Sequence, residues 1–154
     1  MKLAFFKENL INPSTKQGFE SITDDALIFK CHNKFAVLNK IPIIIDESNS
    51  IFKVQDILAK APTTQNINYY NKSLKNIVRK QVLPTLSKDF NQTKRYKNLA
   101  NLVDGKNILV IGAGDKINFY NKYFKNSLII TSDVHLQFSP DIIFDAHQIP
   151  FKDE

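Results

Sequence analysis

The stretch NILVIGAGDK, residues 107–116, decides the fold class of this chain. Its apolar run Ile108 to Ile111 predicts a parallel strand that is buried on both faces. Gly112 and Gly114 follow at once, although the whole chain has only four glycines. Glycine lets the backbone approach a ligand closely, and the first turn of a following helix has free N–H groups. The stretch therefore predicts a strand, a glycine turn and the start of a helix beside a ligand.

A second strand and an acidic residue follow the glycine turn. The strand is predicted over Leu128–Thr131, and Asp133 comes at its end. A carboxylate in that position can accept hydrogen bonds from both hydroxyls of a ribose. Between the turn and this strand, apolar side chains recur at the spacing of a helix: Ile117, Phe119, Tyr120, Tyr123 and Phe124.

The glycine turn lacks the third glycine of a dinucleotide site. That fingerprint is Gly-x-Gly-x-x-Gly, and its third glycine falls here on Ile117. The isoleucine side chain obstructs the close helix–strand packing that a glycine allows. We therefore expect a nucleoside ligand without a pyrophosphate. An ordinary tight strand-to-helix turn is the alternative interpretation of Gly112 to Gly114.

A third element is DIIFDAHQIPF, residues 141–151, in which Asp145-Ala146 follows another short apolar run. With this element, residues 105–154 resemble the class I S-adenosylmethionine-dependent methyltransferases, in particular the type 11 group. The resemblance implies that S-adenosylmethionine is the cofactor. It assigns no catalytic residue and no methyl acceptor, which are both unknown. It also implies these cofactor contacts: the loop of Gly112, Ala113 and Gly114 at the methionine and ribose, Asp133 at the ribose hydroxyls, Asp145 at the adenine amino group and the Ala146 N–H at a ring nitrogen.

The chain departs from the family pattern in three places. Lys116 stands where the family loop often has its third glycine, and the gap from Asp133 to Asp141 is too short for a crossover helix. The sequence also ends at Glu154, before the strand that closes the ligand crevice in this family. We therefore expect an incomplete, truncated methyltransferase, with weak cofactor binding and no measurable methyl transfer by residues 1–154.

The first segment, residues 1–60, is predicted to be a small antiparallel β segment. Three β-type runs, ALIFKC, KFAVLN and IPIIID, lie between about residues 18 and 48, and a loop follows over Asp46–Ser50. The segment is similar to degenerate zinc-ribbon modules, but Cys31 is alone and Lys34 occupies the partner position. Because structural zinc needs four ligands, we expect no metal and interpret Cys31 as a buried small apolar residue.

The middle segment, residues 61–104, is predicted to form basic amphipathic helices. It carries eight basic and two acidic residues, which is the whole net charge of +6. One helix would place Lys72, Lys75 and Arg79 opposite its apolar side. We interpret these residues first as a solvated helix face, and a site for an anionic partner is the alternative. The other would cover Gln92 to Val103 and end near Gly105. Its predicted inward residues are Tyr96, Leu99, Leu102 and Val103.

The sequence predicts an α/β fold: the small β segment and the helices precede an incomplete, Rossmann-like parallel sheet in residues 105–154. A single cysteine and no membrane-spanning stretch point to a cytoplasmic protein of undetermined oligomeric state. The alternatives to a methyltransferase are a noncatalytic remnant or interaction module, and a nucleic-acid-binding protein that uses residues 61–104. His135 and His147 flank the two aspartates, and we expect them to be packed or solvated rather than catalytic bases.

Overall fold

Residues 2–59 and 91–153 are the part of the chain that the computed structural model describes. They form a mixed α/β structure with a five-stranded mixed sheet and a two-stranded parallel sheet. The predicted helix that carries Lys72, Lys75 and Arg79 lies outside the described residues. The described elements are α1 (Leu3–Asn9), β1 (Phe19–Ile22), β2 (Ala26–Phe29), β3 (Lys34–Leu38), β4 (Ile41–Ile44), α2 (Val54–Leu58), α3 (Gln92–Leu102), β5 (Asn107–Ile111), α4 (Ile117–Tyr123), β6 (Leu128–Ser132), a 3₁₀ turn (Leu136–Phe138) and β7 (Ile143–Phe144).

The N-terminal strands form the antiparallel meander that the sequence predicts. Strands β2, β3 and β4 fall on the three apolar runs, and β1 adds a fourth strand that pairs with β2. Neither β1 nor α1 was predicted. The two middle residues of β1 are exposed, so it has no apolar pattern, and α1 is too short to show a helical period. Helix α1 is nonetheless anchored by Phe6, which is fully buried.

The N-terminal meander and the C-terminal segment share one sheet. Strand β4 pairs in parallel with β7, and a single parallel bridge between Ser132 and Ile142 sets β6 beside β7. Strand β5 pairs in parallel with β6. Strands β4, β7, β6 and β5 therefore run in the same direction, and their C-terminal ends meet at one side of the molecule. We call this side the carboxyl edge.

Alternating side chains of β4 and β7 build the core on both faces of the sheet. Ile44 and Phe144 pack on the face that α1 covers, whereas Ile43 and Ile143 pack with Leu136 on the other face. All four strand residues are at most 2% exposed. Because successive side chains of a strand point to opposite faces, β4 and β7 are each packed on both faces of the sheet. This packing fixes the position of the loops that leave the carboxyl edge.

Strand β5 and helix α3 are more exposed than the sequence predicts. Strand β5 was expected to be buried on both faces, which is wrong: Ile111 is 46% exposed. Within the described residues β5 pairs only with β6, so one of its edges has no strand beside it. Tyr96 of α3 and Val103, which follows the helix, pack as predicted. Leu99 and Leu102 are 45% and 76% exposed, so their predicted inward placement is wrong.

The end of α3 near Gly105 and the short connection from β6 to β7 are both as predicted. Helix α3 stops at Leu102, and Gly105 adopts a φ of 70° in the turn that follows. The gap from Asp133 to Asp141 has no crossover α-helix, only the 3₁₀ turn over Leu136–Phe138. Thr131 still meets the returning chain, because its carbonyl accepts the backbone N–H of Asp141 at 3.0 Å. A short crossover is therefore enough to bring the ends of β6 and β7 together.

Candidate ligand site

A cavity of about 720 Å³ opens at the carboxyl edge. The loops that follow β4, β5, β6 and β7 all contribute to its wall. Ligand pockets in open α/β sheets lie at this end of the strands, and their volumes are of the same order. Five of the residues predicted as cofactor contacts line it: Gly112, Gly114, Asp133, Asp145 and Ala146.

The glycine turn leaves open space above its backbone. Gly112 and Gly114 have φ values of 67° and 56°, a conformation that L side chains rarely adopt. No heavy atom lies within 4 Å of a Cβ built on either residue, so neighbouring atoms do not require these glycines. Ala113 between them faces the other way: it is 4% exposed, packs in the core and does not line the cavity. The spacing Gly-x-Gly thus follows from two left-handed residues on either side of one buried residue.

Asp133 fastens the end of β6 to the glycine turn. Its Oδ2 accepts the backbone N–H of Gly114 at 2.9 Å. Its Oδ1 accepts the backbone N–H of His135 at 2.9 Å and lies 2.9 Å from the Nδ1 of the same histidine. The Asp133 side chain is only 9% exposed. The carboxylate therefore borders the cavity and at the same time orders the two loops that carry it.

Asp145 is held in a similar way at the end of β7. Its Oδ1 accepts the backbone N–H of His147 at 2.9 Å, and its Oδ2 accepts the Ser50 hydroxyl at 2.6 Å. Burial opposes ionisation of this side chain, but the Ser50 bond and the His147 contacts outweigh it and lower the pKa of Asp145 below its ordinary value. Asp145 is therefore a charged carboxylate at neutral pH although it is buried.

The two aspartates belong to matching Asp-x-His tripeptides, residues 133–135 and 145–147. In each, the aspartate accepts the backbone N–H two residues later, which is a turn that Asp commonly forms. The histidines differ in exposure: the His135 side chain is 11% exposed, whereas that of His147 is 92% exposed. His135 is packed and His147 is solvated, as the sequence predicts.

The N-terminal segment also contributes to the cavity, which the sequence does not predict. The loop after β4 lines the cavity through Asn49, Ile51 and Phe52. The sequence indicated only that residues 46–50 form a loop. The missing information was the parallel pairing of β4 with β7, since that pairing brings the end of β4 to the carboxyl edge. Two residues of the 3₁₀ crossover region, His135 and Phe138, also line the cavity.

Cys31 is half-buried, not buried as predicted. Its Sγ accepts hydrogen bonds from Thr15 Oγ1 at 3.3 Å and from Asn12 Nδ2 at 3.7 Å. The Thr15 bond lowers the pKa of the Cys31 thiol. No group of three or more His, Cys, Asp or Glu side chains in residues 2–59 and 91–153 is arranged to hold a metal ion.

In the part of the chain that the structure describes, no helix combines the length and apolar character needed to cross a membrane. No protein-family model matches the chain, and no curated protein matches it. The geometry of the cavity is therefore the basis for assigning a function.

Proposed function

We propose that this protein is an S-adenosylmethionine-dependent methyltransferase and that the cavity at the carboxyl edge binds the cofactor. One observation supports this most: the sequence-predicted residues that follow three neighbouring parallel strands line the same cavity, namely Gly112, Gly114, Asp133, Asp145 and Ala146. In this proposal β5, α4, β6 and β7 are the beginning of a Rossmann-like sheet. The volume of the cavity and its mixture of apolar walls and carboxylates also suit a nucleoside cofactor such as S-adenosylmethionine.

The glycine turn and Asp133 would hold the ribose and the methionine part. A carboxylate has about four acceptor sites, and the contacts of Asp133 with Gly114 and His135 occupy three. Oδ2 thus retains room for one ribose hydroxyl. A second hydroxyl would take the place of the His135 ring at Oδ1. Such charge-assisted bonds are stronger than neutral ones, so Asp133 would contribute most to ribose recognition.

Asp145 and Ala146 would hold the adenine. The carboxylate would accept from the exocyclic amino group, and the backbone N–H of Ala146 would donate to a ring nitrogen. Bound S-adenosylmethionine supplies a methyl group already activated on a sulfonium, and the protein mainly has to align it with an acceptor. The lack of an assigned acid or base among the sequence-predicted residues is compatible with this chemistry.

A nuclear magnetic resonance titration of the ¹⁵N-labelled chain with S-adenosylhomocysteine tests the proposal and suits weak binding. We expect shifts at the Gly112 and Gly114 amides. Asp133→Asn should weaken binding about tenfold, because bonds to a charged group contribute roughly 1.5–3 kcal/mol. Asp115→Asn is the matched control, since Asp115 is exposed, close in sequence and outside the cavity wall. No shifts at millimolar ligand, or equal loss in both variants, would refute the proposal.

The same samples test the nucleic-acid-binding alternative from the sequence. Binding of RNA or DNA that weakens steeply with salt would favour the anionic partner expected at Lys72, Lys75 and Arg79.

A further inference from the structure

The loop after β4 presents apolar side chains to the cavity. Ile51 lines the cavity and is 87% exposed, the highest exposed fraction among the large hydrophobic residues described as exposed. Phe52, next to it, lines the cavity and packs partly against the core cluster of Ile43 and Ile57. Single exposed apolar residues on a surface need no explanation, but an isoleucine at the rim of a cavity can be covered by a ligand.

This loop is held in place by hydrogen bonds within itself. Asp46 Oδ1 accepts the backbone N–H of Ser48 at 3.0 Å and its hydroxyl at 2.5 Å, and Oδ2 accepts from Asn49 Nδ2 at 3.1 Å. The Ser14 hydroxyl also donates to Oδ2 and, with the bonds from Ser48, lowers the pKa of Asp46. Further along, Glu47 Oε1 accepts the backbone N–H of Val54 at 2.7 Å. Ile51 is therefore exposed in a loop whose conformation is fixed by hydrogen bonds.

Ser50 joins this loop to the cavity floor. Its hydroxyl oxygen accepts the backbone N–H of Phe52 at 3.1 Å, and the same hydroxyl donates to Asp145 Oδ2 at 2.6 Å. The link is a continuous chain from the Phe52 amide through Ser50 to a buried carboxylate, and such chains strengthen each member. Asp145 in turn is the residue beside which the adenine is proposed to lie. Ser50 thus fixes the distance between the apolar loop and the adenine position.

We propose that Ile51 and Phe52 form the wall against which the planar base of the ligand packs, and that Ser50 is the positioning residue that sets this wall. The proposal rests on the proposed function and adds the specificity of the same site. A purine offers two apolar faces and a polar edge. The edge would meet Asp145 and Ala146, and one face would cover Ile51 and Phe52. The N-terminal meander is in this way a part of the ligand site.

Two probes distinguish contact with the base from general damage to the site. S-adenosylhomocysteine carries the base, and S-ribosylhomocysteine has the same ribose and amino acid without it. Ile51→Ser should weaken the binding of S-adenosylhomocysteine roughly tenfold, since burial of much of an isoleucine side chain contributes binding free energy on that scale. It should leave the affinity for S-ribosylhomocysteine unchanged. Leu102→Ser, which alters a 76% exposed leucine that does not line the cavity, should change the binding of neither probe.

The positioning role of Ser50 is tested by hydrogen exchange of the free protein together with ligand binding. Ser50→Ala should speed hydrogen exchange at the Phe52 amide at least tenfold. It should also weaken the binding of S-adenosylhomocysteine by a factor similar to that of Ile51→Ser. Ser50→Thr retains the hydroxyl and should restore both. Ser21→Ala, at an exposed position of β1 outside the cavity wall, should leave hydrogen exchange at the Phe52 amide and ligand binding unchanged.

The outcomes separate the two proposals. If wild type binds S-adenosylhomocysteine and Ile51→Ser binds it equally well, the base does not pack on this loop and only the present proposal is wrong. Equal weakening of both probes by Ile51→Ser would also overturn it. If wild type binds neither probe at millimolar concentration, the proposed function fails and this proposal fails with it.

Discussion

At the scale of single residues, the site depends on backbone conformation and on carboxylates with assigned partners. Gly112 and Gly114 adopt positive φ, and Asp133 and Asp145 each accept several donors. These contacts join four loops that come from separate parts of the chain. The consequences can be measured through stability, independently of any ligand.

Gly112→Ala and Gly114→Ala should each lower the free energy of unfolding by about 1–2 kcal/mol, the cost of a left-handed conformation for an L residue. The added methyl groups meet no atom within 4 Å, so the cost comes from the backbone alone. Urea denaturation measures it. Gly18→Ala is the control, because Gly18 also has open space around it but no positive φ. An equal loss in the control would contradict the backbone explanation.

Asp145→Asn should destabilise the protein at neutral pH and not at low pH. The folded-state pKa of Asp145 is lowered, so its charge stabilises the fold above the ordinary Asp pKa of about 4, and this contribution is lost as pH falls through the folded-state pKa. We expect a loss of about 1 kcal/mol at pH 7, because burial of the charge offsets part of its hydrogen bonds.

Urea denaturation of wild type and Asp145→Asn at pH 7 and pH 3 gives the comparison. The same pair in a His147→Ala background removes the neighbouring imidazole, whose Nδ1 lies 3.0 Å from the carboxylate. A difference that persists unchanged at pH 3 would show that the charge of Asp145 is not the stabilising feature.

At the scale of elements, the aromatic ring of Tyr96 joins α3 to α4, with Ala100 of α3 packed in the same cluster. The Tyr96 ring lies edge-on to Phe119, with centroids 4.8 Å apart, and also contacts Tyr123 and Phe124. The outward side of α3 carries Leu99 and Leu102, which contribute little buried area. Its packing therefore depends on Tyr96 more than on overall helix amphipathicity.

Tyr96→Ala should lower the free energy of unfolding by about 2 kcal/mol, since a half-buried ring and its aromatic pairs are lost. Leu102→Ala on the same helix should cost less than about 0.5 kcal/mol, as expected for an exposed position. Denaturation of both variants checks the ranking. A larger effect of Leu102→Ala would mean that another part of the protein covers the outer side of α3.

At the scale of the whole molecule, the meander and the C-terminal segment are joined through β4 and β7. Further contacts reinforce the join: Lys2 Nζ lies 2.9 Å from Asp141 Oδ2, and Leu10 pairs with Phe151. These contacts link residues at opposite ends of the described chain. We expect both segments to unfold in a single transition.

Ile44→Val tests this cooperativity, because Ile44 is fully buried in β4. We expect a loss of about 1 kcal/mol, within the usual range for removing one methyl group from a core. Hydrogen exchange should show the same loss of protection for the slowest amides of β2 and of β6. Ile51→Val is the exposed control. A loss confined to β1–β4 would show that the two segments unfold separately.

Local patterns predicted most of the elements and failed where a contact links distant parts of the chain. The strand before Gly112, the helix over Ile117–Tyr123 and the strand before Asp133 have strong patterns and are confirmed. The grouping of Asp133 and Asp145 in one cavity followed from parallel strand direction. The presence of Ile51 at the cavity and the bond of Ser50 to Asp145 could not be predicted. Both depend on the pairing of β4 with β7, which lies about 100 residues later in the chain.

A crystal structure of the chain grown with S-adenosylhomocysteine tests the central claim most directly. We expect electron density for the ligand in the cavity at the carboxyl edge, with a ribose hydroxyl within hydrogen-bond distance of Asp133 Oδ2 and the base against Ile51 and Phe52. Density elsewhere on the surface, or an empty cavity at millimolar ligand with the site accessible to solvent in the crystal, would contradict it.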